Sequence, residues 1–158
     1  MSECFRIGVL SDTHLVTAGV DAAVRTIGRA DCYVHLGDVA SDVRYLRSQV
    51  RQPVYAVAGN NDYTPDDPLE QVVTLGGVRF LLTHGHRYHV KSRLDLLAYR
   101  AREAEAECAL FGHTHRSMVD WVEGVLLINP GSARVGREAS CAVIEIEERR
   151  VRPLILPL

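Results

Sequence analysis

The chain has little of what marks specialised protein classes. Only four of its 158 residues are cysteine, and Cys4, Cys32, Cys108 and Cys141 include no C-x-x-C pair. Each lies in or beside an apolar stretch, which suits small buried thiols in a reducing compartment. No apolar run approaches the roughly 18 residues of a membrane span. Residues 1–6 lack a basic stretch leading into an apolar one, so no secretory signal is expected and a cytoplasmic setting is. Charge is nearly balanced, with 18 Lys and Arg against 20 Asp and Glu, a formal net charge of −2 and a pI near 6.4. There is neither the basic excess of a nucleic-acid binder nor an acidic block resembling a disordered tail. Internal repeats, low-complexity segments and linker-like stretches are missing too, so residues 1–158 are expected to form a single domain.

What remains is ordinary globular material, 47% hydrophobic and 24% charged. A chain of this length buries about 68–70% of its unfolded surface, enough for a real core. The first half alternates strand and helix. Residues 5–10 (FRIGVL) read as a strand, and Val20, Ala23, Val24 and Ile27 recur at helical spacing, predicting a helix over about residues 19–30. Residues 32–36 form a second strand, Ser41 is the expected N-cap of a helix carrying Val43, Leu46 and Val50, and residues 54–57 form a third strand. A β-α-β-α-β order implies parallel pairing through right-handed crossovers.

The pattern then changes. Residues 61–68 are polar with two prolines and read as a loop. Strands at 71–75 and 78–83 flank Gly76-Gly77 as a hairpin, a helix covers 91–106, and a strand covers 107–111. A second hairpin joins 118–122 to 125–128 through Glu123-Gly124, and residues 141–147 and 151–156 give two last strands. That is too many strands for one small sheet covered by three helices. The expected fold is α/β, a two-sheet β-sandwich flanked by helices in four α-β-β-α layers. The apolar stretch 151–158 suits either core or a homo-oligomer interface.

Five of these strands end in a polar cluster. Asp12 and His14 follow the first, Gly37-Asp38 the second and Gly59-Asn60-Asn61-Asp62 the third. Thr83-His84-Gly85-His86 ends the strand at 78–83, and Gly112-His113-Thr114-His115 follows the one at 107–111. Ligands of parallel sheets gather at the carboxyl ends of strands, so the five loops can converge. Imidazole with carboxylate or amide oxygen suits borderline divalent metals. Asp-x-His and His-x-His put two donors on one short turn, and the glycines at 37, 59, 85 and 112 let the backbone bend sharply after each strand. A carboxylate can bridge two ions, and Asp38, isolated in a Gly-Asp turn, is the candidate. Each fragment alone is weak, since Gly-Asp and Gly-Asn are usually plain turns. The ordered set is far more specific and holds five of the seven histidines. His35, inside a strand, reads as a core or supporting side chain, and His89 as solvated. His86 either orients a ligand or substrate or is simply packed.

This ordered set resembles the calcineurin-like metallophosphoesterase superfamily, with its D-x-H, G-D, G-N-x-[DE], H and G-H-x-H motifs, over residues 5 to about 132. The short length, Thr83-His84-Gly85-His86 and Asn129-Pro130-Gly131-Ser132 resemble its small branch of bacterial and archaeal phosphodiesterases, which also contains the eukaryotic retromer subunit. The resemblance implies that Asp12, His14 and His115 hold one divalent metal, that Asn60, His84 and His113 hold a second, and that Asp38 bridges them. Asp38 and His113 are then the catalytic centre, with Asn61, His86 and Arg116 as candidates for a supporting or substrate role. Mn leads the expected metals, ahead of Ni, Fe, Co and Zn. Two ions sharing a hydroxide would drive in-line attack on the phosphorus of a small phosphodiester. One position departs from the family. Many members have His where this chain has Asn61, which does not titrate near pH 7 and cannot serve as a general acid. Loss of such a group, worth about 10²–10⁴-fold, implies slower turnover and a preference for good leaving groups. Two alternatives are a catalytically quiet protein-interaction scaffold, which should have eroded ligands, and a phosphomonoesterase, which Asn61 disfavours.

Overall fold

The computed structural model describes residues 3–15, 17–62, 67–134 and 136–158. Strand β1 (Phe5–Leu10) pairs in parallel with β2 (Cys32–His35), and β2 with β3 (Val54–Ala56). Helices α1 (Thr17–Ile27) and α2 (Ala40–Gln49) make the two crossovers. The chain then builds a second sheet from β4 (Glu70–Leu75), β5 (Val78–Thr83), β6 (Cys108–Leu110), β7 (Met118–Val122) and β8 (Val125–Asn129). Helix α3 (Asp95–Glu103) crosses from β5 to its parallel neighbour β6. Finally β9 (Ser140–Glu147) returns to the first sheet, antiparallel to β1, and β10 (Arg150–Pro157) closes its edge. The orders are β10-β9-β1-β2-β3 and β4-β5-β6-β8-β7.

Period-2 alternation explains why these strands make two sheets facing one another. Ile7, Val9, Val34, Ile144 and Ile146 of the first sheet meet Phe80, Leu82, Cys108, Leu110, Leu126 and Ile128 of the second in the central core. The opposite faces carry Tyr33, Cys141 and Val143, covered by Val20, Ala23 and Ile27 of α1 and Leu46 of α2. On the far side Leu81, Ala109 and Leu127 are covered by Leu97, Ala98 and Ala101 of α3. The result is the expected four-layer α-β-β-α sandwich. Full burial of one such leucine contributes about 1.5–3 kcal/mol. Cys32, Cys108 and Cys141 are buried and Cys4 is half-buried, all as free thiols. No helix among the described residues is long and apolar enough to cross a membrane.

Several boundaries differ from expectation, each for a local reason. Helix α1 starts at Thr17 and stops at Ile27, where Gly28 turns left-handed with φ 68°. Ser41 is not the N-cap of α2. Val39 holds that position, and the carboxylate of Asp62, 23 residues downstream, accepts hydrogen bonds from the Val39 and Ala40 amides at 3.1 and 2.6 Å. The expected helix at 91–106 shortens to Asp95–Glu103, because a 3-10 turn, His86–Tyr88, and left-handed His89 (φ 54°) occupy the approach. Of the loop expected at 61–68, residues 63–66 lie outside the described residues. Strand β10 is an edge strand paired along its length with β9, with Val151 and Ile155 packed on the central core.

Candidate metal centre

Strands β1, β2, β3, β5 and β6 end on one side of the sandwich, and the five polar clusters meet there. Asp12 is fully buried. Its Oδ2 accepts hydrogen bonds from the Ser11 hydroxyl at 2.5 Å and the His113 amide at 3.0 Å. Its Oδ1 is buried and has no hydrogen-bond partner among the described residues. Nε2 of His115 lies 3.3 Å from that orphan oxygen, and Nε2 of His14 and of His84 each lie 3.8 Å from it. His14 and His115 bring their Nε2 atoms within 3.2 Å of one another. On the other side His84 Nε2 is 3.1 Å from His113 Nδ1 and 3.5 Å from Asp38 Oδ2. Asp38 Oδ2 also lies 4.0 Å from His14 Nε2, so this carboxylate reaches both halves. Among the described residues two sets of donors are compact enough for an ion, Asp12 with His14 and His115, and Asp12 with Asp38 and His84.

Hydrogen bonding fixes which ring nitrogen points inward. The buried His84 ring places Nδ1 2.7 Å from the Leu36 carbonyl, which can only accept. Nδ1 therefore carries a proton, and Nε2 is the nitrogen turned toward the cluster. His113 is held below the usual imidazole range, at about 4, by burial and then by the charges of His84 and Lys91. It is neutral near pH 7, as a ligand must be. At Asp38 burial alone would raise the carboxyl pKa, but His84, two hydrogen bonds from Asn61 and His14 together bring it below its ordinary value. Asn61 makes those two bonds with its amide at 3.0 Å and its side-chain Nδ2 at 2.9 Å. Such a set of inward nitrogens and carboxylates suits a divalent cation, and the orphan Asp12 Oδ1 would gain the partner it lacks.

The backbone has been bent to achieve this. Asp12, His14, His113 and His115 all adopt positive φ, at 55°, 47°, 69° and 63°. This region is costly for residues with a Cβ and clusters at functional sites. Glycines act in two ways. Gly37 and Gly85 take φ of 92° and 103°, giving the sharp bend expected of them. Gly59 and Gly112 do not have positive φ. A Cβ on Gly59 would overlap Asp38 Oδ1, and one on Gly112 would overlap Ser11 Oγ and crowd Asp12 Oδ2. There the requirement is close approach to a carboxylate.

Six of the seven expected ligands, Asp12, His14, Asp38, His84, His113 and His115, thus converge directly. Asn60 is exposed at the rim, between Gly59 and Asn61, both of which contact Asp38. His86 is half-buried with its ring centroid 5.5 Å from that of His84 and 6.2 Å from that of His113. Arg116 is exposed beyond His115, and His89 is exposed as expected. Asp62 braces its loop through Gly59, Val39 and Ala40.

A ring of supports surrounds the ligands; His35 was expected as a core or supporting side chain, whereas Thr13 and Asp42 were not singled out by the sequence. His35 is fully buried and receives the Gly37 amide on Nδ1, so its Nε2 carries the proton toward Thr13 Oγ1, 3.1 Å away. The Thr13 hydroxyl in turn donates to buried Asp42 at 2.5 Å, and Asp42 also accepts the Leu15 amide at 2.8 Å. This chain pins the left-handed turn that carries Asp12 and His14. Ser132 donates to the Asp12 carbonyl at 2.8 Å, and Asn129 Nδ2 donates to the Gly112 carbonyl at 3.1 Å and to Thr114 Oγ1 at 3.0 Å. Asn129 and Ser132 belong to the Asn129-Pro130-Gly131-Ser132 motif, but which backbone groups they hold could not be read locally, because their bonds cross 15 or more positions of sequence, as does the one from Thr13 to Asp42.

The sandwich and its cluster define a metallophosphoesterase, and the chain belongs to the calcineurin-like phosphoesterase superfamily, whose domain it matches over residues 5–149. It is 33% identical to the probable metallophosphoesterase YsnB of Bacillus subtilis over 88% of this chain and 83% of that protein. It is 24% identical to a phosphodiesterase of Methanocaldococcus jannaschii, covering 96% of this chain and 99% of that one. A solved predicted phosphoesterase of Streptococcus pneumoniae superposes with a TM-score of 0.82 at 28% identity, covering 98% of this chain and 90% of that one. At the level of fold the chain also matches Vps29 of Entamoeba histolytica complexed with Zn²⁺, with a TM-score of 0.70 and 20% identity over 96% and 98% of the two chains.

Proposed function

We propose that this protein is a dinuclear phosphodiesterase. The orphaned Asp12 Oδ1 carries the reading. An uncompensated buried carboxylate oxygen costs about 1–3 kcal/mol or more, and here three imidazole nitrogens face it within 3.8 Å. Asp12, His14 and His115 would hold one ion, Asn60, His84 and His113 the other, and Asp38 would lie between them. Bound there, two divalent ions supply water activation near neutral pH and charge neutralisation around phosphorus. Mn²⁺ is the ion we would supply first.

The chain's own contribution is positioning and charge. Asp12 and Asp38 offset the charge of the cations. Leu36 holds His84 in the ligating tautomer, and Asn61 fixes both oxygens of Asp38. Because Asn61 is spent on Asp38 and carries no titratable proton, the leaving oxygen departs without acid help from that position. This supports diesters with good leaving groups over monoesters. A second reading, a protein-interaction scaffold, draws on the likeness to Vps29. Because a Vps29 is itself solved with Zn²⁺, a metal-suited cluster does not separate the two readings; the family match and the six converging ligand side chains support hydrolysis, and activity decides between them.

Protein stripped of metal and given Mn²⁺ should hydrolyse bis(p-nitrophenyl) phosphate. Inactivity with Mn, Ni, Co, Fe and Zn alike would leave the scaffold reading.

A further inference from the structure

Beside the metal centre lies a cleft of about 800 Å³ that none of the expected ligands lines. One wall is residues 90–94, which lead from the His86–Tyr88 turn into α3, and the other is Thr114 with Arg116, Ser117 and Met118, on the stretch that runs from the His113 loop into β7. Thr114, between His113 and His115, lines it, and Lys91 lies close enough to His113 for its charge to act on that ring, so the cleft neighbours the candidate centre. Its residues fall into two groups. Val90, Leu94 and Met118 are buried or half-buried and give an apolar floor. Lys91, Arg93 and Arg116 are exposed cations. Arg93 is spent, since its guanidinium makes two 2.6 Å bonds to Asp95. Lys91 and Arg116 take part in no ion pair among the described residues. They thus set two such cations beside an apolar floor. The Arg116 end is rigid, because its amide donates to Thr114 Oγ1 at 3.1 Å and that hydroxyl is held by Asn129.

Building on the phosphodiesterase reading, we infer that this cleft is a subsite for the non-reacting arm of the substrate. That arm would combine an apolar ring, lying on Val90, Leu94 and Met118, with a second anionic group between Lys91 and Arg116. The substrate class is then a diester in which one side is nucleotide-like and carries a further phosphate. Cations at this position contribute to ground-state binding and orientation and take no part in bond breaking.

Two substrates isolate the second charge. The p-nitrophenyl ester of thymidine 5′-phosphate and the same ester bearing a 3′-phosphate share their scissile bond and leaving group. For two solvent-accessible charge contacts, kcat/KM should be roughly five-fold higher for the 3′-phosphorylated ester. The difference should lie in KM, and the ratio should fall to one in the Lys91→Ala/Arg116→Ala double variant. Lys91→Arg should retain it. Equal kcat/KM for the two esters in the parent protein, or a preference that survives in the double variant, overturns the subsite. Binding to metal-free protein, followed by NMR titration, separates this inference from the reading beneath it. Thymidine 3′,5′-bisphosphate should bind several-fold tighter than the 5′-monophosphate, through Lys91 and Arg116, even if no ester is hydrolysed. Equal binding contradicts the subsite whatever the activity.

Discussion

Asp38 and Asn61 show how much of the site rests on single side chains. Asp38 reaches His14 at 4.0 Å and His84 at 3.5 Å, and Asn61 ties down both of its oxygens. Asp38→Ala should therefore abolish metal binding at both positions; one fully occupied ion in the variant would remove its bridging role. Asn61→Ala deletes only the side-chain bond, so the expected loss is roughly ten-fold in metal affinity, the lower end for partners that orient ligands. Under the proposed function, Asn61→His would introduce a titratable proton where the leaving oxygen is expected, and the rate should then depend less steeply on leaving-group pKa. An unchanged dependence would sink the account of that position. His35 allows a pH prediction. Burial and the neighbouring His84 lower its pKa to about 3, below its unfolded value. Its contribution to stability is thus complete above about pH 6.5 and is lost as pH falls toward 3, because the unfolded chain takes up the proton first. In metal-free protein this adds a slope of about 1.4 kcal/mol per pH unit across that window. Urea titrations of His35→Asn should lack that increment, and an identical pH profile would contradict it. The ligand types were legible in the sequence. The two bonds from Asn61 to Asp38 were not, since they cross 23 positions.

Among the elements, strands were the more legible. Both hairpins and their glycine turns match expectation, because period-2 alternation and Gly-containing turns are local signals. Helix ends were less so. The N-terminus of α2 is satisfied by Asp62 on a later loop, and local sequence offered only Ser41. That Asp62 carboxylate also takes the Gly59 amide at 2.7 Å, coupling the helix to the loop that presents Asn60 and Asn61. Asp62→Ala should cost about 1–2 kcal/mol of stability by denaturant titration, the upper range for loss of a helix cap, and should weaken metal binding as well. Full stability with unchanged metal affinity would show that the cap is replaceable. The positive φ of Asp12, His14, His113 and His115 also belongs to this scale. Propensity favours none of these residues there, and tertiary bonds from Asp42, Ser132 and Asn129 hold the turns.

Taken as a molecule, the protein divides its work between a rigid sandwich and the loops at one end of it. The two-sheet architecture followed from counting strands against the few helices available to cover them, and the central core of Ile7, Val34, Phe80, Leu110 and Ile144 bears this out. The apolar C-terminal stretch, which suited core or interface equally, became an edge strand whose alternate residues reach that core. Periodicity gives the inward face of such a strand, but its place at the end of a sheet depends on a pairing with β9 that no local pattern announces. The site shares this division. Its ligands read out from the ends of strands, and its supports come from the packing of distant loops. Under the proposed function the loops at this end hold two ions. Metal-stripped protein titrated with Mn²⁺ by calorimetry, with hydrolysis of bis(p-nitrophenyl) phosphate followed in parallel, tests it most directly. Binding of two equivalents per chain, with activity rising as the second site fills, is the predicted result. Saturation at one equivalent or fewer, or full hydrolysis by the metal-free protein, would contradict it.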